Sequence, residues 1–368
     1  MKGCLPRGAA RWLAAGVLVL PALAPFTASA SMASEPPSPT GQPAAEAPAP
    51  GTPTEGGQPG ANPTTAEASA DPFVARPCTP DARFSSLWPK SEDVTFHPTT
   101  LRERKALGKL IPALLEAAPK RRTPPKGLEK VAASAGFELE VWEGEKGVRD
   151  TFWVLREQPG KLRGAGAYVI RTGPATDDVV QVPHPWFDRG TEDIGVGLFA
   201  CAPMDRQPRL FMTATVHRYQ GNPGETPEDP EHPADVAHNP EHLFQEVTNL
   251  AARALPAPRV VQLHGFGTAK AGRDKELVAV VSSGTRRPTG WARKVSAGLV
   301  KLLGEGVRLY PEGAQVLGGT QNAQGRLLQA YDCAHFLHLE LSVHARKALT
   351  SGEWLARVGH VLFAPLED

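Results

Sequence analysis

The stretch PEHLFQEVTNLAARALPAPRVVQLHGFG, residues 240–267, decides the fold. Its first half places Leu243, Phe244, Val247, Leu250 and Ala251 at helical spacing, and its second half is a short β-branched run closed by His264 and Gly265. The same texture recurs on both sides. DVVQVPHP (178–185), PRLFMTATVHR (208–218), ELVAVVSSG (276–284), VRLYP (307–311) and HFLHLELSV (335–343) are strand-like, and segments long enough for helices separate them. GWARKVSAGLVKLLGEG (290–306) and the C-terminal SGEWLARVGHVLFAPL (351–366) have helical apolar spacing. This alternation predicts an α/β fold with three α/β/α layers, in which helices cover both faces of a mixed, largely parallel sheet.

Upstream, LRERKALGKLIPALLEAA (101–118) predicts an amphipathic helix. FELEVWE (137–143), DTFWVLRE (150–157) and GAGAYVIRT (164–172) follow at close spacing and predict an antiparallel meander. Globular sequence starts near Pro72, so residues 72–368 are expected to form a single catalytic domain. Its helical and meander part runs to about 165, and its core spans 166–368.

The chain has 368 residues and a formal net charge of +1, which points away from a nucleic-acid partner. Its N-terminus runs from basic MKGCLPRGAARW through apolar LAAGVLVLPALAPF to small-residue TASASMAS, with Ala28 and Ala30 as an A-x-A cleavage signal. Residues 1–30 therefore read as a signal peptide and predict a secreted or periplasmic protein with no membrane span in the mature chain. Residues 31–71 are Pro-, Ala- and Gly-rich without aromatics and read as a disordered linker. Cys78, Cys201 and Cys333 remain past the signal; two of them can pair, and their spacing is not that of a thiolate metal site.

In parallel sheets, ligands gather beyond the carboxyl ends of strands. Three predicted strands close on histidine there: His184, His217 and His264. In VPHPWFDRGTED (182–193), Asp188 follows His184 by four residues in a loop opened by Pro185, so both side chains can fold onto one cation. His264 would complete the set, because two imidazoles, one carboxylate and a fourth position left to water compose an open catalytic zinc site. His217 and His238 are the alternative ligands.

Read as a strand, HFLHLELSVHAR (335–346) has Leu337, Leu339, Leu341 and Val343 on one face and His338, Glu340, Ser342 and His344 on the other. A carboxylate in such apolar surroundings has raised proton affinity, so Glu340 is the candidate general acid/base for zinc-bound water; an ion pair with Arg346 is the competing reading. Arg218, and the polar loop LGGTQNAQGR (317–326) through Asn322 and Arg326, are candidates for holding a substrate carboxylate. No GxSxG elbow, HExxH helix, phosphate loop or dinucleotide fingerprint is present.

In order, VPHPWFDRGT, LHGFG and HLELSVHAR resemble the poly-γ-glutamate hydrolases and N-formylglutamate amidohydrolases over roughly residues 166–346. The resemblance implies a zinc-carboxypeptidase-like fold, Zn2+ held by His184, Asp188 and His264, and Glu340 as general acid/base. Pro185 and Trp186 stand where those hydrolases usually have glycines, and Asp188 lies one residue closer to its histidine than their carboxylate does.

The expected activity is zinc-dependent hydrolysis of an amide or peptide bond in a carboxylate-bearing substrate, a small peptide, γ-glutamyl polymer or peptidoglycan peptide. Two rival readings are a cell-envelope binding protein that keeps the fold without catalysis, and a metal-independent hydrolase built on His217 and Asp235.

Overall fold

The structure, a computed structural model, describes residues 78–366 apart from 91–93, 145–149, 221–231, 268–269, 271–275, 332–333 and 351. The signal peptide and linker expected at 1–30 and 31–71 lie outside the described residues. In chain order the helices are α1 (Leu101–Ala117), α2 (Leu128–Ser134), α3 (Thr191–Ala200), α4 (Leu243–Ala254), α5 (Gly290–Leu303), α6 (Ala323–Leu328), α7 (Val343–Leu349) and α8 (Gly352–Leu362). The strands are β1 (Phe137–Glu143), β2 (Thr151–Glu157), β3 (Ala167–Arg171), β4 (Thr176–Val182), β5 (Pro208–Thr213), β6 (Arg259–Phe266), β7 (Ala279–Ser282), β8 (Val307–Leu309) and β9 (His335–Ser342).

The nine strands among the described residues belong to one sheet, ordered β1-β2-β3-β5-β4-β6-β9-β7-β8. The meander β1–β3 pairs antiparallel and continues antiparallel onto β5, so it extends the core sheet instead of standing apart from it. From β5 through β4, β6 and β9 the pairing is parallel, and β7 turns antiparallel against β9. One sheet face packs Val180, Val182, Val261, Leu263, Leu337 and Leu339 against apolar residues of α3, α5, α7 and α8. The opposite face packs Val179, Val260 and Phe336 with α1, α4 and α6. These are the three layers that the alternating texture predicts.

The connection from β4 through α3 reaches β5 on one side of β4, and the connection from β5 through α4 reaches β6 on its other side. Strand order therefore reverses at β4, and the carboxyl ends of β4 and β6 open a crevice. The face under α4 and α6 changes character along the strands. Val179, Val260 and Phe336 stand in one register row; Gln181, Gln262 and His338 form the next; His264 beside Glu340 forms the last. Period-two alternation thus carries the polar residues to the crevice while the intervening leucines stay in the core.

The expected strand over 335–343 ends earlier. Ser342 Oγ accepts from the Ala345 backbone N–H at 3.2 Å and caps α7, so Val343 and His344 begin a helix, and Val343 is 42% exposed. β5 likewise stops at Thr213, leaving His217 in the following loop and not at a strand end.

Cys78 and Cys201 form a disulfide across a sequence separation of 123 and tie the C-terminal end of α3 to the segment that leads into the domain. Cys333 lies outside the described residues. Closing so long a loop restricts the unfolded chain, so the double substitution Cys78→Ser, Cys201→Ser is expected to lower unfolding free energy by about 2–5 kcal/mol. Urea titration of both proteins, compared at equal m-value, measures it.

Candidate metal centre

The turn after β4 folds back on itself: the Phe187 and Asp188 backbone N–H groups both donate to the His184 carbonyl, at 3.1 and 2.8 Å. That single turn brings Asp188 Oδ2 to 3.4 Å from His184 Nδ1. On the neighbouring strand, His264 Nδ1 lies 3.4 Å from the same oxygen. The two rings meet edge to face with centroids 5.0 Å apart. His184, Asp188 and His264, which the sequence nominates together, thus converge, and all three are buried.

Each imidazole has its far nitrogen tied to an oxygen. His184 Nε2 pairs with Asp235 Oδ1 at 2.8 Å, and His264 Nε2 pairs with Gln262 Oε1 at 2.8 Å. An amide oxygen only accepts, so His264 Nε2 carries the proton and its Nδ1 presents a lone pair toward Asp188. His184 Nδ1 is buried without a hydrogen-bond partner. Ligands held at about 2.0–2.1 Å in a tetrahedron stand about 3.3–3.4 Å apart, and outer-shell acceptors on histidine ligands are the usual companion of a bound ion. The donor set therefore fits a divalent cation.

The electrostatics agree. Burial acts to raise the Asp188 carboxyl, but His184 and His264 outweigh it and hold it well below the usual range. Burial pushes His264 down to about 4, which keeps it neutral and able to ligate near neutral pH. Burial also acts to lower His184, yet the Asp235 carboxylate overrides it and raises the imidazole.

A second group, His264, His338 and Glu340, also draws together. The His338 ring stacks on His264 at 4.4 Å, and its Nε2 lies 3.9 Å from Glu340 Oε1. The two groups share His264, whose Nε2 is held by Gln262, so its one free nitrogen serves a single ion. The set His184, Asp188 and His264 suits an ion better, because Asp188 Oδ2 already stands 3.4 Å from Nδ1 of each histidine. Glu340 is left beside the ion position with Oε2 buried and unpartnered. Burial first, and the Asp188 charge second, push its carboxyl up to about 8.

The competing ion pair does not form. Arg346 donates its Nε to the Arg189 carbonyl at 2.7 Å and its Nη1 to the Leu341 carbonyl at 2.5 Å. The guanidinium passes so close to Gly265 that a Cβ there would strike it. Gly265 thus makes room for Arg346.

The three residues assigned to substrate binding are employed elsewhere. Arg218 Nη2 bonds Asp235 Oδ2, and its guanidinium lies over the Phe187 and Tyr219 rings at 5.1 and 5.3 Å. Arg326 bonds the Thr320 carbonyl and the Gln321 side chain on an exposed edge. Asn322 is buried, caps α6 and points its amide at Gln262. His238 Nδ1 bonds Asp235 Oδ2 at 3.0 Å, so it supports His184 indirectly. The His217 ring lies against Phe187 and Tyr219, and both oxygens of Asp235 are engaged by His184, Arg218, His238 and the Ala237 N–H.

Asp235 as the orienting partner of His184, and Gln262 as that of His264, are functions the sequence reading does not assign. A signal for the second exists. VVQ precedes the histidine in both VVQVPH and VVQLH, and Gln181 and Gln262 are register partners across β4 and β6.

No protein-family model and no curated protein matches the chain. Solved structures similar to it include the N-formylglutamate amidohydrolase of Ralstonia eutropha JMP134, at 16% identity and TM-score 0.32, over 51% of this chain and 94% of that one. They also include leucyl aminopeptidase from Trypanosoma brucei, at 10% identity and TM-score 0.33, over 72% of this chain and 62% of that one. A tomato leucine aminopeptidase variant is similar at 16% identity and TM-score 0.30, over 71% and 61% of the two chains.

Proposed function

We propose that the chain is a zinc-dependent amidohydrolase or peptidase, exported from the cytoplasm, that cleaves an amide bond in a carboxylate-bearing substrate such as a γ-glutamyl polymer or peptidoglycan peptide. The observation that carries this reading is the convergence of His184 Nδ1, His264 Nδ1 and Asp188 Oδ2 at ligand spacing, each imidazole oriented from behind by an oxygen acceptor. Zinc, when bound, supplies positive charge that polarises a carbonyl and acidifies water.

The chain's own residues supply the rest. Glu340, deprotonated, takes the proton from the attacking water and then hands it to the leaving nitrogen, so one carboxyl serves as base and acid in turn. Its unpartnered Oε2 is the atom that does this. His338, pushed well below its ordinary range by burial and then by His264, stays neutral beside it and adds no competing charge. With Arg218 and Arg326 engaged elsewhere, the cation assigned here to a substrate carboxylate is Lys270. Its ammonium lies 6.0 Å from the Phe187 ring centroid, and its charge acts on Glu340.

Hydrolysis of N-acyl-glutamate and γ-glutamyl peptides tests the reading. Chelator treatment is expected to abolish turnover and added zinc to restore it. Full activity in the chelator, or no turnover of any amide by the zinc-loaded protein, overturns it.

A further inference from the structure

Behind His264 lies a closed set of buried amides whose polarity is set at both ends by backbone groups. Asn322 Oδ1 accepts from the Gly325 backbone N–H at 2.9 Å, so its Nδ2 must face Gln262 Oε1, which it reaches at 2.5 Å. Gln324 Nε2 donates to the Val236 carbonyl at 2.8 Å and to Gln245 Oε1 at 2.9 Å. Its oxygen is therefore left to accept from Gln262 Nε2 at 3.0 Å. The second Gln262 N–H goes to Gln181 Oε1 at 2.8 Å.

Gln262 thus has both N–H groups and both oxygen lone pairs engaged, the last by His264 Nε2. Turning its amide over would set its oxygen against two amide oxygens and its N–H groups against the Asn322 N–H. A backbone N–H at the start of α6 and a backbone carbonyl at Val236 so determine which nitrogen of His264 bears hydrogen.

We propose that Asn322 and Gln324 are positioning residues for the metal centre, acting through Gln262 to hold His264 in the Nε2–H tautomer and leave Nδ1 free to bind the ion. This inference rests on the metal-site reading above. Asn322→Asp is the discriminating variant. The new carboxylate still accepts from the Gly325 N–H and keeps the helix cap, but it offers no hydrogen to Gln262 Oε1. Two oxygens then confront each other, while turning Gln262 over would set its oxygen against Gln181 Oε1 and Gln324 Oε1, so neither orientation is held and His264 loses its fixed acceptor.

In the metal-free variant, long-range 1H–15N correlation spectra at neutral pH are expected to show His264 populating both the Nδ1–H and Nε2–H forms, against Nε2–H alone in the parent protein. Zinc affinity, measured by competition with a chromophoric chelator, is expected to fall about 10- to 100-fold, the usual cost of losing an outer-shell partner. Asn322→Ser keeps a capping hydroxyl without the opposing oxygen and is expected to retain the Nε2–H form. Gln262→Leu, which removes the acceptor, is expected to populate both tautomers if the Asp variant does not fold.

Parental tautomer and zinc affinity in Asn322→Asp, or in Gln262→Leu where only that variant folds, overturn the inference. An equal tautomer shift in Asn322→Ser overturns it too. Because the tautomer is read without metal, failure of the metal-site reading is separately visible as zinc affinity unchanged by His264→Ala.

Discussion

Glu340→Gln is expected to lower amide hydrolysis by about 10²–10⁴-fold, the span typical of a positioned proton-transfer group. Zinc content and the fold should stay as in the parent protein. The glutamine preserves volume and can still hydrogen-bond, so the loss reports proton transfer and not packing. The effect should fall on kcat more than on KM, because the proton moves in the transition state.

The pH profile supplies the sign. Burial and the Asp188 charge push the Glu340 carboxyl up to about 8 in the metal-free chain. A cation at the neighbouring site favours the ionised form and brings that value down. Since the ionised form is the base, kcat/KM should rise with pH through an apparent pKa below 8, and this limb should vanish in Glu340→Gln. A variant that hydrolyses amides at the parental rate removes Glu340 from the chemistry. Ligand binding that is equally strong in both proteins, with turnover in neither, identifies a binding protein.

His184→Ala, His264→Ala and Asp188→Ala are each expected to empty the metal site. Loss of a direct ligand costs more than the roughly 10–100-fold that loss of an outer-shell partner does. His184 and Asp188 share one turn, while His264 comes from the adjacent strand, so the three substitutions probe two separate parts of the chain. His217→Ala is the control: its ring lies against Phe187 and Tyr219, and its Nδ1 accepts from the Tyr219 N–H at 3.3 Å. Zinc measured by atomic emission on the purified variants separates the cases, and a His217 variant that alone lacks metal relocates the centre.

The convergence of His184, Asp188 and His264, with Glu340 beside them, can be read from sequence because it follows simple periodicities. Two strands end in or just beyond histidine at the carboxyl edge, a one-turn spacing brings Asp188 back to His184, and alternation along β9 sets Glu340 opposite the leucines. The layers follow likewise from helical and strand-like segments in turn. The substrate residues cannot be read this way, since an arginine's partner depends on how loops fold. Asp235 captures Arg218, and Arg326 bonds within its own segment. Asn322 occupies a loop that looks suited to ligand contact, yet the N-terminus of α6 needs its oxygen and Gln262 needs its amide. The early end of β9 is a capping effect: Ser342 competes for the backbone before the alternating pattern runs out.

The parallel register of β6 and β9 sets His264 beside Glu340 through main-chain bonds of two interior strands. The proposed ion ligand and proton carrier are consequently held by interior strands of the sheet. Heat or denaturant should silence the centre only as the sheet itself melts, so loss of catalysis and global unfolding would share one midpoint.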